Sequence, residues 1–460
     1  MSLEEFVSRG HARRGGRVEN YFCLLKRRDI YKNFSIVARF NKPVDDRALL
    51  FTCLRKLIFQ YPILAASVVT TDRSDLSKPV PDNDYIKVMN TLRLDDVLMD
   101  LPASVQKTET MEGKLAELNK IDWKYGNETP LWKISFIDPQ TLVYISNHVC
   151  SDGMTGKNFI EELSNLFNTV SLPSDLDTNG YLLHYVSDHT NLPQLPPPIE
   201  KVVNYSPPLS FFPSYFWNLI TIKFMCTLGI VSKREDTHSY RIVNIPSKTL
   251  TALLANLKPK GITLSPYINS AWVQAFQEVL LKDSYLGLTD VSIPCDSRQF
   301  IEPGVDTDIY KFGSNTGGNH FYHRFQKEHN WSSVQYFNGF FQWCKRQQNF
   351  LYGLGMITSE VIMKNANFDK IIDEAVIGVD RTGTVISNIG VIRTREDKYE
   401  VEDLLFSKNS GGTQFSFSLG IVSTKHSGMN FVITMCDGAA TPDQFDQIVK
   451  RFKENIIKLA

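Results

Sequence analysis

His148, Asp152 and Gly153 form a His-x-x-x-Asp-Gly group at the end of the segment Thr141-Leu-Val-Tyr-Ile-Ser-Asn-His-Val-Cys-Ser-Asp-Gly. A neutral imidazole is the side chain best suited to accept a proton near pH 7 and to return it. An aspartate four residues later can fold back to fix the turn, and a glycine leaves room for a ligand or another backbone. We interpret His148 as a general base, and a capped structural histidine is the alternative.

Other chemistries at His148 have weaker support in the sequence. No second His or Cys lies at metal-ligand spacing from it, so no metal site is predicted. No G-x-S-x-G sequence supplies a nucleophilic serine. Cys150 is a conceivable nucleophile, although its side chain should leave the turn in a different direction from that of His148. A lone base suits direct transfer of a group between two bound substrates.

The flanking residues predict the elements that present this group. The β-branched and aromatic run before His148 predicts a strand, and apolar residues at 159, 160, 163, 166 and 167 form one face of a helix. Further strands are predicted at 33–40, 131–137, 240–245, 291–295, 384–393, 415–423 and 429–436, and further helices at 46–60, 265–281 and 442–459. This alternation predicts a mixed α/β protein.

Length and composition limit the class of protein. A chain of 460 residues is too long for one ordinary core, so two lobes are expected. Fifty basic residues balance fifty acidic ones, which argues against nucleic acid as a partner. The seven scattered cysteines and the absence of a basic-then-apolar start indicate a cytoplasmic protein that is not secreted.

Three of four further segments have more than one interpretation. The basic, glycine-rich run 11–17 is a solvated turn or a phosphate or CoA contact. Seven prolines in 193–213 predict an extended crossing segment. The apolar run 211–231 is a transmembrane helix, a lipid-facing surface, or a buried connection or wall of a substrate channel. The C-terminal helix 442–459 docks on its own domain or, because it is basic and amphipathic, lies on a membrane surface.

The sequence from His148 to Gly153 resembles the signature of the CoA-dependent acyltransferase superfamily, which includes chloramphenicol acetyltransferase and peptide-synthetase condensation domains. The chain as a whole resembles the fungal alcohol O-acetyltransferases within it. Blocks similar to that family occur in its order at 9–22, 146–153, 310–318, 353–355, 383–390 and 423–430. Two features depart from the family pattern: the loop before Trp132 is short, and His320 and His323 match no family role.

The resemblance implies a two-lobed α/β fold, each lobe a mixed β-sheet flanked by helices, with an active-site tunnel at the lobe interface. The expected division is an N-terminal lobe over 1–192, a proline-rich and apolar crossover over 193–238, and a C-terminal lobe over 239–460. Acetyl-CoA is the implied co-substrate, without a metal, and a hydrophobic alcohol is the implied acceptor. A peripheral site on the cytoplasmic side of the endoplasmic reticulum or of lipid droplets is the expected location.

The resemblance also implies roles for residues far from the motif. Asp152 is expected to be structural and to pair with an arginine of the other lobe, for which Arg298 is the candidate, although Arg298 could equally be a surface residue. Ser387 and Asn388 are candidates for contact with the oxyanion, and an ordinary strand end is the alternative. Rival functions are an N-acetyltransferase for a hydrophobic amine or amino alcohol, a sterol or steroid O-acetyltransferase, and a non-catalytic lipid-binding protein on the same scaffold.

Overall fold

The computed structural model describes residues 1–28, 30–71, 84–122, 128–173, 180–217, 237–282, 288–323, 326–359, 383–394, 398–408 and 415–460. The chain forms two compact units. Unit 1 comprises Met1–Asn204, Asp296–Thr316 and Val391–Ser407, and unit 2 comprises Tyr205–Cys295, Gly317–Gly390 and Lys408–Ala460. Each unit combines β-sheet with helices, as the sequence predicts.

Unit 1 contains short and long helices and three sheets. The helices are α1 (Leu3–Ser8), α2 (Arg17–Arg27), α3 (Arg47–Gln60), α4 (Leu94–Val97), α5 (Ala103–Lys107), α6 (Met111–Leu118), α7 (Gly153–Thr169) and α8 (Tyr185–Asp188). The strands are β1 (Ala12–Arg14), β2 (Phe34–Phe40), β3 (Ala66–Thr70), β4 (Asp84–Val88), β5 (Thr91–Arg93), β6 (Trp132–Asp138), β7 (Thr141–Ser146) and β8 (Tyr181–His184). The late strand β13 (Val401–Lys408) joins them.

The sheet that carries His148 has the order β13-β2-β7-β6. Its strand β7 is antiparallel to both neighbours, with Ser146 opposite Phe34 on one side and Trp132 on the other. Every residue of β7 is buried. Helix α7 packs on β2 and on α3. The other sheets have the orders β1-β4-β3 and β5-β8.

Unit 2 is built around a six-stranded sheet of order β11-β10-β12-β14-β15-β9. Its strands are β9 (His238–Ile245), β10 (Thr289–Asp296), β11 (Thr316–His323), β12 (Gly383–Val391), β14 (Phe415–Thr424) and β15 (Gly428–Cys436). Its helices are α9 (Ser247–Leu257), α10 (Leu264–Leu280), α11 (Trp331–Arg346), α12 (Asn349–Ile357) and α13 (Pro442–Lys458). The strands and helices predicted from periodicity are confirmed, with ends that differ by at most two residues.

Helix α13 docks on its own unit and does not present its apolar face to a membrane. Phe445, Ile448, Phe452 and Ile456 are all fully buried in the core of unit 2. The Tyr267 hydroxyl donates to the carbonyl of Ile456 at 2.8 Å. Because the apolar stripe is already covered, mainly polar residues of α13 remain for solvent, together with the exposed Ile457.

The proline-rich stretch does not form a separate connecting segment. Residues up to Asn204 belong to unit 1, and unit 2 begins at Tyr205. Leu195 donates its N–H to the carbonyl of Gly10 at 2.9 Å, which fastens this stretch to the N-terminus of unit 1. The two units therefore differ from the expected division at 192 and 239, and two later segments return to unit 1.

Most of the apolar run 211–231 lies outside the described residues, and its first part, 211–217, is helical. Among the residues that the structure describes, none of the helices has the length and apolar character that crossing a bilayer requires.

Candidate active site

His148 follows the last residues of β7 in a turn that hydrogen bonds hold on both sides. The Asn147 side chain donates to the carbonyl of Lys32 at 3.0 Å and accepts from the N–H of Val149 at 3.0 Å. The N–H of Asn147 donates to the carbonyl of Leu131. His148 itself is half-buried, and its Nδ1 atom is inaccessible to solvent. The imidazole is thus held at the strand end.

Asp152 caps the helix that follows the turn. Its Oδ1 accepts from the N–H of Thr155 at 2.7 Å, and its backbone is extended, as is usual for a residue before a helix. Gly153 is the first residue of α7. The three residues between His148 and Asp152 are therefore anchored at both ends, by Asn147 and by the helix cap.

Asp152 and Arg298, the pair that the resemblance implies, form a buried ion pair. Nη1 of Arg298 lies 2.9 Å from Oδ2 of Asp152, and Nη2 lies 3.4 Å from Oδ1. The two side chains are only 11% and 6% exposed. The backbone N–H of Asn315 donates a hydrogen bond to Oδ2 of Asp152 at 2.9 Å. Both carboxylate oxygens of Asp152 are therefore engaged within the protein, which fits a structural role.

Arg298 does not come from the other lobe as expected. Its segment, Asp296–Thr316, belongs to unit 1 together with His148 and Asp152. The reason is the hydrogen bonding of this segment: Arg298 Nε donates to the carbonyl of Tyr310 at 2.6 Å, and Thr155 Oγ1 donates to the carbonyl of Gly313 at 2.8 Å. Tyr310, Gly313 and Asn315 therefore hydrogen-bond the Asp152–Arg298 pair, and they lie in the block 310–318, for which the sequence indicates no role.

Burial and two nearby carboxylates together determine the pKa of Arg298. Burial lowers the pKa of Arg298, but the charges of Asp152 and Asp296 outweigh burial and raise the pKa above its usual value. Asp296 accepts from Nη1 of Arg298 at 2.9 Å. Arg298 thus stays charged, and it is a buried residue, so the alternative of a surface arginine is wrong.

Cys150 is not placed as a nucleophile. It is buried, and burial raises the pKa of its thiol well above the usual value, with the nearby Glu19 carboxylate adding to the effect. A thiol that stays protonated at neutral pH is a poor nucleophile.

Three aromatic rings around His148 are not indicated by the sequence motif. The imidazole lies 4.7 Å from the ring of Phe22, 4.8 Å from that of Tyr31 and 5.0 Å from that of Phe34, measured between centroids. The block 9–22 contains Phe22, so its similarity to the family was the available signal. Spacing along the chain could not have indicated which side chains contact His148.

Gly156 is a second residue that the motif does not indicate. A Cβ atom at this position would lie 2.8 Å from Cγ1 of Ile36 and 3.0 Å from Cε2 of Phe34. Only glycine allows α7 to approach β2 this closely. Gly156 therefore determines the position of Phe34, which contacts the imidazole of His148.

The basic run 11–17 is partly engaged in internal contacts, and Arg14 within it is exposed. Arg13 forms two hydrogen bonds with the carboxylate of Glu19, at 2.7 and 2.8 Å, and donates through Nε to the carbonyl of Pro196. His11 is buried and hydrogen-bonds the hydroxyl of Tyr185 at 2.8 Å. Internal partners therefore engage His11 and Arg13, and a phosphate or CoA contact at Arg14 stays a prediction.

The remaining candidates lie in unit 2. Ser387 and Asn388 are half-buried on β12, and Asn388 Oδ1 accepts from the N–H of Gly390 at 2.9 Å. His320 contacts Asp290 at 3.0 Å, and although burial lowers its pKa, that carboxylate raises the pKa overall. Burial lowers the pKa of His323 to about 3. No cluster of three metal-ligating side chains occurs in the described part of the chain.

Solved structures define the class of fold. The trichothecene 15-O-acetyltransferase of Fusarium sporotrichioides superposes with a TM-score of 0.68 at 13% identity, over 97% of this chain and 95% of that one. The first condensation domain of the calcium-dependent antibiotic synthetase has a TM-score of 0.62 at 14% identity, over 97% of each chain. The fold is therefore the two-lobed fold shared by CoA-dependent acyltransferases and condensation domains.

The family within this class follows from the sequence as a whole. The profile of the alcohol acetyltransferase family matches residues 14–456, and the chain belongs to this family. Alcohol O-acetyltransferase 2 of Saccharomyces cerevisiae is 28% identical over 529 aligned positions, which cover 99% of this chain and 97% of that protein. The protein is thus an enzyme, an acyltransferase of the alcohol O-acetyltransferase type.

Proposed function

We propose that this enzyme transfers the acetyl group of acetyl-CoA to the hydroxyl of a hydrophobic alcohol, with both substrates bound at once. The observation that carries the proposal is the half-buried imidazole of His148 in a turn fixed by the Asp152–Arg298 pair, in a chain of the alcohol acetyltransferase family. Acetyl-CoA is the co-substrate. Holding the two substrates in line supplies much of the acceleration.

In the proposed reaction His148 is the general base. Because Nδ1 is buried, the hydroxyl of the alcohol would approach Nε2. Nε2 takes the hydroxyl proton as the oxygen attacks the thioester carbonyl carbon and forms the new C–O bond. The C–S bond then breaks, and the imidazolium returns its proton to the departing thiolate, giving the ester and free CoA.

Two further side chains belong to this proposal. Ser387 or Asn388, half-buried neighbours whose side chains leave opposite faces of β12, would donate to the oxygen that becomes negative in the tetrahedral intermediate. Removal of one such donor lowers kcat by about 10²- to 10³-fold in other acyl-transfer enzymes. Ser387→Ala and Asn388→Ala, each compared with the wild type, test this role.

The purified full-length chain tests the activity directly. Acetyl-CoA is incubated with a short branched alcohol, a sterol and a long-chain amino alcohol, and release of free thiol is followed while mass spectrometry identifies the acetylated products. The expected result is an acetate ester of at least one hydrophobic alcohol. In His148→Ala kcat should fall by about 10²- to 10⁴-fold, whereas the exposed His426→Ala serves as the matched control.

Each alternative has its own outcome in that experiment. Near-normal turnover by His148→Ala would exclude the general-base role while leaving the activity intact. Acetylation of nitrogen in preference to oxygen in the amino alcohol would support the N-acetyltransferase, and exclusive use of the sterol would support the sterol acetyltransferase. The lipid-binding alternative would be supported if no acceptor were acetylated and acetyl-CoA did not raise the Tm of the protein.

We also propose that the enzyme attaches peripherally to the cytoplasmic side of the endoplasmic reticulum or of lipid droplets. Leu209, just before the apolar run, and Phe216 and Trp217, in its first part, are 88%, 52% and 70% exposed, and exposed apolar side chains suit a lipid surface. Flotation of the protein with vesicles tests this proposal. Phe216→Ser with Trp217→Ser should reduce binding, and Val186→Ser, at an exposed valine of unit 1, should not.

A further inference from the structure

The ring of Phe22 is stacked on the imidazole of His148. Their centroids are 4.7 Å apart and their planes differ by 17°. The other two rings meet His148 at steeper angles, 62° for Tyr31 and 46° for Phe34. Of these three rings, Phe22 is the one that lies nearly parallel to the imidazole, with its π face against it.

A stacked aromatic face favours the protonated form of an imidazole. The face of an aromatic ring is negative, so a cation over it is stabilised by about 0.5–1 kcal/mol where water has access. In the Ser-His-Asp triad a buried carboxylate stabilises the imidazolium. Here the carboxylate nearest in sequence, Asp152, is engaged by Arg298, Thr155 and Asn315.

We propose that Phe22 is a positioning residue that orients His148 and stabilises the imidazolium formed during acetyl transfer. This inference rests on the proposed role of His148 as general base. It also gives the N-terminal block 9–22 a role in the site, because this block includes the start of α2, the helix that carries Phe22.

The start of α2 is fixed by buried charges. Glu19 binds both terminal nitrogens of Arg13 and accepts from the N–H of Gly16 at 2.7 Å. Glu200 accepts from the N–H of Arg17. The side chains of Arg13 and Glu19 are only 16% and 8% exposed. These contacts hold the helix at its first turn, one turn before Phe22, so the ring is held over His148.

Two substitutions distinguish the effect of an aromatic face on kcat from the effect of packing alone. Phe22→Leu keeps an apolar side chain but removes the π face, whereas Phe22→Trp keeps a π face on a different shape. We expect kcat to fall about two- to fivefold in Phe22→Leu, the equivalent of about 0.5–1 kcal/mol, with little change in KM for either substrate. Phe22→Trp should retain kcat to within about twofold. Phe22→Met, another side chain without a ring, should behave as Phe22→Leu does.

A double-mutant cycle shows whether Phe22 acts through His148. In a His148→Ala background, Phe22→Leu should cause no further loss of the residual rate. The inference is overturned if the loss is the same in both backgrounds, or if Phe22→Leu and Phe22→Trp lower kcat equally. Those results would leave the proposed function intact. Full activity of His148→Ala itself would instead remove the proposed base, and this inference with it.

Discussion

Asp152 and Arg298 are 146 residues apart in the chain, yet their charged groups lie 2.9 Å apart inside unit 1. The same aspartate caps the helix that begins one residue later, with its Oδ1 on the N–H of Thr155. The ion pair therefore ties the turn of His148 to the segment Asp296–Thr316. Because both side chains are largely buried, with 11% and 6% exposure, we propose that the pair has a structural role.

Loss of Arg298 should leave a buried carboxylate without its counter-charge. For Arg298→Met we expect the free energy of unfolding to fall by about 3–5 kcal/mol, measured by urea denaturation. Arg241→Met is the control: it breaks the half-exposed pair with Asp446 and should cost no more than about 1 kcal/mol. Adding Asp152→Asn to Arg298→Met should restore part of the lost free energy of unfolding, because it removes the unpaired buried charge. If Arg298→Met lowered the free energy of unfolding no more than Arg241→Met does, the Asp152–Arg298 pair would not be essential for stability.

Cys150 should be dispensable for catalysis. Its thiol is buried and its pKa is raised, so it remains protonated and shielded at pH 7. Cys150→Ala should keep kcat within about threefold, because the substitution removes little more than one buried sulfur atom. Iodoacetamide should label Cys295, which is only half-buried, faster than Cys150, as peptide mass spectrometry can show. Complete loss of turnover in a folded Cys150→Ala protein would contradict this assignment.

Gly156 should not tolerate even one added methyl group. Gly156→Ala places a Cβ 2.8 Å from Ile36 and 3.0 Å from Phe34, and such overpacking costs about 1–3 kcal/mol. Because Phe34 contacts His148, kcat should fall as well as Tm. In Gly339→Ala, by contrast, nothing lies within 4 Å of the new Cβ on α11. That control should raise stability by about 0.5–1 kcal/mol, since alanine is the better helix former.

Acid should destabilise unit 2 through two buried histidines. Burial lowers the pKa of His323 to about 3 and, with the nearby Lys458 charge, that of His329 to about 4, against an ordinary value of 6.5. The unfolded chain therefore binds protons below pH 6.5 that the folded unit does not bind. Each histidine should remove stability as the pH falls from 6.5 towards its folded pKa, by about 1.4 kcal/mol per pH unit.

His323→Gln tests that pH dependence. The free energy of unfolding of this variant is measured by urea denaturation at pH 7, 6 and 5. It should fall less steeply with decreasing pH than that of the wild type, because the unfolded variant binds one proton fewer. His426→Gln changes an exposed histidine of the same unit and should leave the slope unchanged. Equal slopes in all three proteins would show that His323 takes up its proton over the same pH range in the folded unit as in the unfolded chain.

The sequence by itself determined the local elements and the motif. The β-branched and aromatic run before His148 predicts β7, and the helical period of the apolar residues predicts α7, because both signals depend on neighbours in the chain. The spacing of His148, Asp152 and Gly153 indicated the proton chemistry, and blocks of similarity indicated the family that the profile over 14–456 shows.

Only the tertiary structure decided which distant residues meet. Arg298 belongs to the unit of Asp152, Phe22 stacks on His148, and Gly156 lets α7 approach β2. Helix α13 is docked because the core of unit 2 covers its apolar stripe, although its amphipathic pattern equally suited a membrane. Such contacts depend on how packed elements fit together, and periodicity along the chain carries no information about the surface against which a given face packs.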